Sequence, residues 1–424
     1  MTDNRLRIEI ESSGEVWDRV TSYSISESFF TPADGWEATV YSDADPKALR
    51  RKFQPRTNVR LYLGERLQLI GQIDTTEGAG GGSAALKLTG RDYMARLIDP
   101  NVDKAVRITN AMSLETALLE GLRVFGVTTI EGDLNAVRAA KMGTSTYTSE
   151  TIPTAGRESF GLNRQANALS APTFVATVTG LELEIRTPTT ETVADAKPNE
   201  NEGAYEWANR LSARCGFTVQ PGSKRSAIAV VAPDYSKGPQ FDLARPGNIE
   251  DGKAKRDYSG IPTLATLSAR QVTAGTEAKG KFKTLSIVGD DSELALWRVP
   301  EARRILEAAR AIGTRKQKTE TGDPLDWYCP VYYKDDESKT EKQLNRSARR
   351  MMADRIRETL TYSAKLKGHQ DPRSRATYAI NVLAKVKDDL EDVDETLWIS
   401  ERTLTGGLGE TTELQLIRPS SYVL

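Results

Sequence analysis

The sequence predicts an α+β protein with two separate β units, and three observations carry that prediction. Apolar and polar residues alternate over several short segments in the first hundred residues, and again beyond residue 260. Stretches with helical spacing lie between and within these regions rather than after every strand, which argues against a regular βαβ arrangement. The 424 residues exceed one ordinary core, so two to four domains are expected.

The elements follow in order. Leu6, Ile8 and Ile10 alternate with Arg7 and Glu9, and Val16 and Trp17 follow a Ser-Gly turn. Tyr23 and Ile25, then Trp36, Ala38 and Val40, repeat the period of two. So do Val59, Leu61 and Leu63, then Leu67, Leu69, Gly71 and Ile73, and finally Leu86 and Leu88. Short period-two segments separated by Gly, Pro and Asp mean a small sheet or barrel. Asp92 is placed to cap a helical turn, "YMARLID", ended by Pro100. Ser113 is the expected N-cap of "LETALLEGLRVF", whose Leu114, Ala117, Leu118, Leu122 and Phe125 share a face, with Gly126 as the stop.

Residues 134–200 are poor in large apolar side chains and read as long loops with one strand, Leu181 to Ile185. "GAYEWANRLSARCG" reads as a helix burying Ala204, Trp207, Ala208, Leu211 and Cys215, stopped by Gly216. A hairpin follows, Phe217 to Val219 and Ile228 to Val231. Strands resume from Leu264 to Val288 around a turn at Gly275 to Gly280. Helices are expected after Pro300 and from Glu341 to Glu358. The remaining strands are Thr361 to Lys367, Thr377 to Val386, Thr396 to Leu404 and Thr412 to Ile417, the last two joined by "TGGLGE".

Composition narrows function. Lys plus Arg number 58 and Asp plus Glu 59, and a net charge of −1 gives no bulk attraction for nucleic acid or anionic membrane. No apolar run approaches the roughly 20 residues of a membrane span. The segment Met1 to Ile10 carries charges and no apolar signal core, so synthesis in the cytoplasm is expected.

The single histidine, His369, would have to serve any Ser-His-Asp triad; it sits in "KLKGHQDPRSR" and reads as a surface-loop residue. Cys215 and Cys329 are the only cysteines and read as small buried hydrophobes, not a disulfide or zinc framework. The glycine run Gly78 to Gly82 has strand pattern on both sides and no following Gly-Lys-Ser/Thr, so it reads as a hairpin tip rather than a phosphate cradle. The arginines of 341–358 (Arg346, Arg349, Arg350, Arg355, Arg357) are interrupted by Asp354 and Glu358 and read as a solvated or subunit-facing helix side. "KDDLEDVDETLW" holds six acids between Asp388 and Glu395, but lacks the glycine of a calcium loop and reads as an acidic surface loop. No carboxylate pair is singled out for glycoside hydrolysis. Trp207, Trp297, Trp327 and Trp398 read as core or interface anchors. No catalytic, cofactor-binding or metal residue is therefore nominated, and an enzyme is not expected.

Several stretches, in order, resemble the baseplate hub proteins of contractile-tailed bacteriophages, the Mu-like family related to the N-terminal part of type VI secretion spikes. "LIGQIDTTEGAGGGSAALKLTGRDYMARLID" resembles a hub pattern of strand, variable loop and strand ending in Gly-Arg-Asp before a helical turn. "SLETALLEGLRVFGV" and "GAYEWANRLSARCGFTV" resemble the next two helices; "QLNRSARRMMADRIRETLTYSAKLKGH" resembles an Ala/Arg-rich helix leading into a strand; "TLWISERTLTGGLGETTELQLIRP" resembles the closing hairpin. Residues 143–200 depart from the pattern.

The resemblance implies two small β-barrel domains with inserted and flanking α/β segments. The first barrel would occupy 1–100, a helical and loop-rich middle domain 101–215, and the second barrel 216–424 with inserted helices at about 300–360. It implies a homotrimer joining the six-fold tail tube to the three-fold central spike, with the spike, a tail tube or distal tube protein and other baseplate proteins as partners. No membrane and no specific nucleic acid would be partners. The protein would reside in the virion baseplate after assembly in the host cytoplasm. A tail-associated peptidoglycan hydrolase is the alternative.

Overall fold

The computed structural model describes residues 5–42, 46–78, 85–103, 106, 108–109, 112–139, 174–176, 198–233, 235, 237–257, 264–270, 282–288, 330–335, 357 and 360–419. In chain order the elements are β1 (Leu6–Ile10), β2 (Glu15–Trp17), β3 (Val20–Ser28), β4 (Gly35–Tyr41), α1 (Pro46–Lys52), β5 (Asn58–Leu63), β6 (Arg66–Gly78), β7 (Ala85–Asp92) and α2 (Ala95–Ile98). Next come α3 (Leu114–Leu122), β8 (Thr129–Gly132), α4 (Leu134–Ala139), β9 (Phe174–Ala176), α5 (Ala204–Arg214), β10 (Thr218–Pro221) and β11 (Ala227–Val231). The chain continues with β12 (Phe241–Arg245), β13 (Ile249–Arg256), β14 (Leu264–Arg270), β15 (Phe282–Val288) and β16 (Pro330–Asp335). It closes with β17 (Leu360–Lys367), β18 (Val382–Asp388), β19 (Val393–Gly406) and β20 (Thr411–Ile417).

The protein is mostly β. Its main sheet has 13 strands, in the order β13-β17-β20-β19-β3-β4-β7-β6-β5-β1-β2, with β18 on β19 and β12 on β18. The two β units expected from periodicity are thus not separate sheets: β3 and β19 pair antiparallel and fuse them, and no closed barrel is found among the described residues.

The fused sheet covers two cores. Ile8, Ile25, Ala38, Val59, Leu61, Ile73 and Leu88 pack in the first, as their alternation predicts, and Leu404 of β19 joins them. Leu243, Tyr362, Leu366, Val386, Leu397, Ile399 and Leu416 form the second. A third core lies outside the main sheet, where α3 and α5 pack with the three-stranded sheet β10-β11-β8 through Leu114, Leu118, Trp207, Leu211 and Ile228. Ser113 caps α3 by accepting from the Thr116 amide at 3.2 Å, and Gly126 and Gly216 terminate their helices at φ +79° and +83°.

Some expectations need correction. Residues 134–139, read as loop, form α4, where Asp133 accepts from the Ala136 amide and Val137 is buried. Leu67 does not continue the buried alternation of β6, because an extra residue, Gln68, shifts the register opposite Leu61 and Tyr62 and leaves Leu67 42% exposed. The strand expected from Thr377 begins at Val382. The expected strand 181–185, the helix after Pro300, and all of the helix 341–358 except Arg357 lie outside the described residues. So do Cys329, Trp297, Trp327 and residues 79–82 of the glycine run. Gly78 ends β6, and β6 and β7 pair antiparallel around that run, as a hairpin requires.

Candidate functional site

The feature that organises the molecule is the seam where β19 changes partner. Residues Val393–Ile399 pair with β18, residues Glu401–Gly406 pair with β3, and the register along β20 shifts between Ile399 and Glu401. Ser400 sits at that irregularity, and its carbonyl accepts from the Phe29 amide. A strand that must serve two neighbours needs such a bend.

Each side of the seam is anchored. Before it, Trp398 is fully buried, donates from Nε1 to Asn381 Oδ1 at 3.1 Å and stacks edge-on against Phe29 at 5.0 Å between centroids. After it, buried Arg402 donates to the Tyr378 carbonyl and to the Glu27 carboxylate, tying β19 to the 369–378 loop and to β3.

His369, expected on the surface, is 1% exposed and belongs to this seam. Its Nε2 lies 2.8 Å from the Tyr23 hydroxyl and its Nδ1 lies 3.0 Å from Thr412 Oγ1. The Thr412 hydroxyl donates to the Gly368 carbonyl at 2.7 Å. That commits Thr412 Oγ1 to accept from Nδ1–H, so Nε2 accepts from Tyr23. Burial pushes the imidazole down to about 4 and the Tyr23 phenol up, so at neutral pH both groups are uncharged hydrogen-bonding links. Gly406 is required beside them: a Cβ there would lie 2.2 Å from the Tyr23 ring.

A cavity of about 610 Å³ opens beside the seam, lined by Glu27, Arg402, Arg66 and Thr377. Arg66 donates to Thr377 Oγ1 at 2.9 Å, so the rim also bridges the two cores.

The Gly-Arg-Asp sequence at 90–92 explains itself residue by residue. A Cβ on Gly90 would lie 2.1 Å from the Gln72 carbonyl oxygen and 2.7 Å from the Trp36 ring. Arg91 pairs with Asp74 at 2.7 Å across the hairpin. Asp92, expected as a cap, accepts from the Met94 amide at 2.8 Å and from the Asp34 amide at 3.1 Å. Burial raises its carboxyl to about 7 against the pull of those two amides. Asp34 is likewise pushed up, first by burial and then by Glu27 and Asp92.

The acidic run 388–395 is also corrected in part. Asp388 ends β18 fully buried, accepting from Tyr362 at 2.6 Å and Arg245 Nε at 2.8 Å. Burial alone would raise this carboxyl, but Tyr362, Arg245 and the amides of Glu391 and Leu390 together hold it below the ordinary range. Asp389, Asp392 and Asp394 are exposed, as a surface loop requires. Cys215 is partly buried and packs against the third core, and Trp207 and Trp398 are core anchors.

These polar groups are clamps between strands. Among the described residues no three His, Cys, Asp or Glu side chains are placed to hold a metal, and no helix is long and apolar enough to cross a membrane. What sequence reasoning missed is the seam itself, since nothing local in "YSIS" or "GHQD" signals a partner more than 300 residues away.

Comparison with solved structures gives the fold a context. The 43 kDa tail protein of prophage MuSo2 from Shewanella oneidensis aligns with 98% of this chain and 99% of its own, at a TM-score of 0.65 and 14% identity. The fold is that of prophage tail proteins. A tail protein from Neisseria meningitidis MC58 aligns with 98% of this chain and 97% of its own, at a TM-score of 0.61 and 14% identity. No protein-family model matches the chain, and no curated protein matches it by sequence.

Proposed function

We propose that this chain is a structural, non-enzymatic baseplate hub of a contractile-tailed phage, joining the six-fold tail tube to the three-fold central spike as a homotrimer. The observation that carries the reading is the tail-protein fold over nearly the whole chain, with a main sheet that covers two cores sharing β19. On this reading each core is the filling of one small barrel, and three chains present six similar units to the tube and three-fold symmetry to the spike. The division into 1–100, 101–215 and 216–424 belongs to the same proposal, with the β10–β11 hairpin packed on the helices of the middle segment. Further partners are a tail tube or distal tube protein and neighbouring baseplate proteins, the location is the virion baseplate, and assembly takes place in the host cytoplasm.

The hydrolase alternative gains nothing from the geometry: Asp34, Asp92 and Asp388 are each committed to backbone or side-chain hydrogen bonds. Two measurements test the proposal. Light scattering on the purified chain is expected to give three chains per particle, and a monomer at high concentration overturns the trimer. Phage lacking the gene are expected to form no complete tails, with no loss of cell-wall lysis; clear zymogram activity of the purified chain overturns the structural reading.

A further inference from the structure

A cleft of about 650 Å³ lies between the strands β5 and β6 and the turn that joins β10 to β11. Arg60, Arg96, Lys224 and Arg225 line it, over an apolar floor that includes Leu67 and Phe125. Glu11 is the one acid on its wall; it pairs with Arg60 at 3.1 Å and stands 3.8 Å from Arg225. Among the described residues neither Arg96 nor Lys224 has an ion pair. Arg96 donates from Nη2 to the Arg225 carbonyl, while its Nε is buried with no acceptor. Four cations against one acid leave the cleft positively charged, and Arg96 and Lys224 have no acid neutralising them among the described residues.

The complement is the turn between β18 and β19. Leu390 is 78% exposed at its tip, flanked by exposed Asp389 and Asp392, neither of which has an ion pair among the described residues. The turn is held rigid from beneath. Asp388 accepts from the amides of Leu390 and Glu391, Glu391 accepts from the Ala254 amide, and Arg256 donates to the carbonyls of Glu391 and Asp392. A fixed turn displaying one leucine between free carboxylates is preorganised for a basic, apolar-floored cleft.

We propose that the β18–β19 turn of one copy seats in this cleft of the next copy, with Leu390 against Leu67 and Phe125 and with Asp389 and Asp392 against Arg96, Lys224 and Arg225. The contact uses two different patches of the same chain, a head-to-tail interface that three copies close into a ring when each turns a third of a circle on the last. This inference rests on the trimer proposed above.

The experiment is sedimentation or light scattering of the full chain in three charge-reversed forms. Asp389→Lys with Asp392→Lys, or Lys224→Glu with Arg225→Glu, is expected to raise the concentration needed for trimer about tenfold or more. All four residues are exposed, so the circular dichroism spectrum should keep its wild-type shape. The chain carrying both reversals is expected to recover the trimer. A wild-type monomer overturns the trimer and this interface together. A trimer indifferent to both reversals, or loss on each side without recovery in the combined chain, overturns the interface alone.

Discussion

Tyr23 and His369, 346 residues apart in the chain, are joined by a 2.8 Å hydrogen bond inside the seam between β3 and β19. The bond holds a neutral imidazole between two hydroxyls, and it makes the joint between the two halves of the sheet sensitive to acid.

The first prediction follows from the sign of that shift. His369 titrates near 4 in the folded protein against an ordinary value of 6.5, so between these values the unfolded chain binds the proton and the folded chain resists it. The contribution is fully present above pH 6.5 and is lost as pH falls through 4, amounting to about 3 kcal/mol. Urea unfolding of wild type and His369→Gln at pH 7 and pH 5 should show a smaller loss in the variant. Equal losses would show that His369 is not the titrating group.

Gly406→Ala tests the same joint by volume. Its methyl would lie 2.2 Å from the Tyr23 ring, and displacing that ring breaks the link to His369. A loss of about 1–3 kcal/mol is expected by thermal or urea unfolding, with Tyr23→Phe less harmful than Gly406→Ala.

Asp92 predicts the opposite pH slope. Its folded value is raised to about 7, so its contribution is fully present below the ordinary value of 3.8 and is lost as pH rises through 7. Asp92→Asn should flatten the fall in stability between pH 5 and pH 8. A variant with the full wild-type slope would assign that slope elsewhere.

The Asp388–Arg245 pair is buried on its acid side, and Asp388→Ala leaves Arg245 and Tyr362 without their shared acceptor. A clear fall in the urea midpoint is expected, because a buried hydroxyl and an arginine lose their common partner. A change below 1 kcal/mol would mean that water or Glu391 takes the place of the carboxylate.

The glycine run and the strand beside it should respond very differently. Replacing Gly78 to Gly82 by a shorter Asn-Gly turn should change stability by about half a kcal/mol, as loop-closure entropy dictates. Leu88→Asp places a carboxylate in the first core, where Leu88 is fully buried, and should prevent folding. Circular dichroism of both variants decides the matter; a folded Leu88→Asp would overturn the core assignment.

Much of this fold was legible because alternation and helical spacing are local signals. Ile8, Val59, Ile73 and Leu88 announce their burial by parity, and Ser113 announces the start of α3. Parity names a face but not a neighbour. It could not say that β19 leaves β18 for β3 at Ser400, nor that one extra residue at Gln68 would turn Leu67 outward. His369 was misread for the same reason: a polar loop sequence looks solvated until distant Tyr23 and Thr412 are brought to both ring nitrogens. Asp388 likewise looked like one member of an exposed acidic run, because Arg245 lies 143 residues before it.

The partner change in β19 also sets an order of events during synthesis. Ser28 through Tyr23 find their neighbours only at Glu401 through Gly406, so the ribosome adds 373 residues between Ser28 and Glu401 before that edge of β3 is covered. The early half therefore waits with an open edge, and a pairing this remote forms slowly. A polypeptide that stops short of β19 displays both an unsatisfied strand and a first core missing Leu404, the kind of exposed surface that invites aggregation.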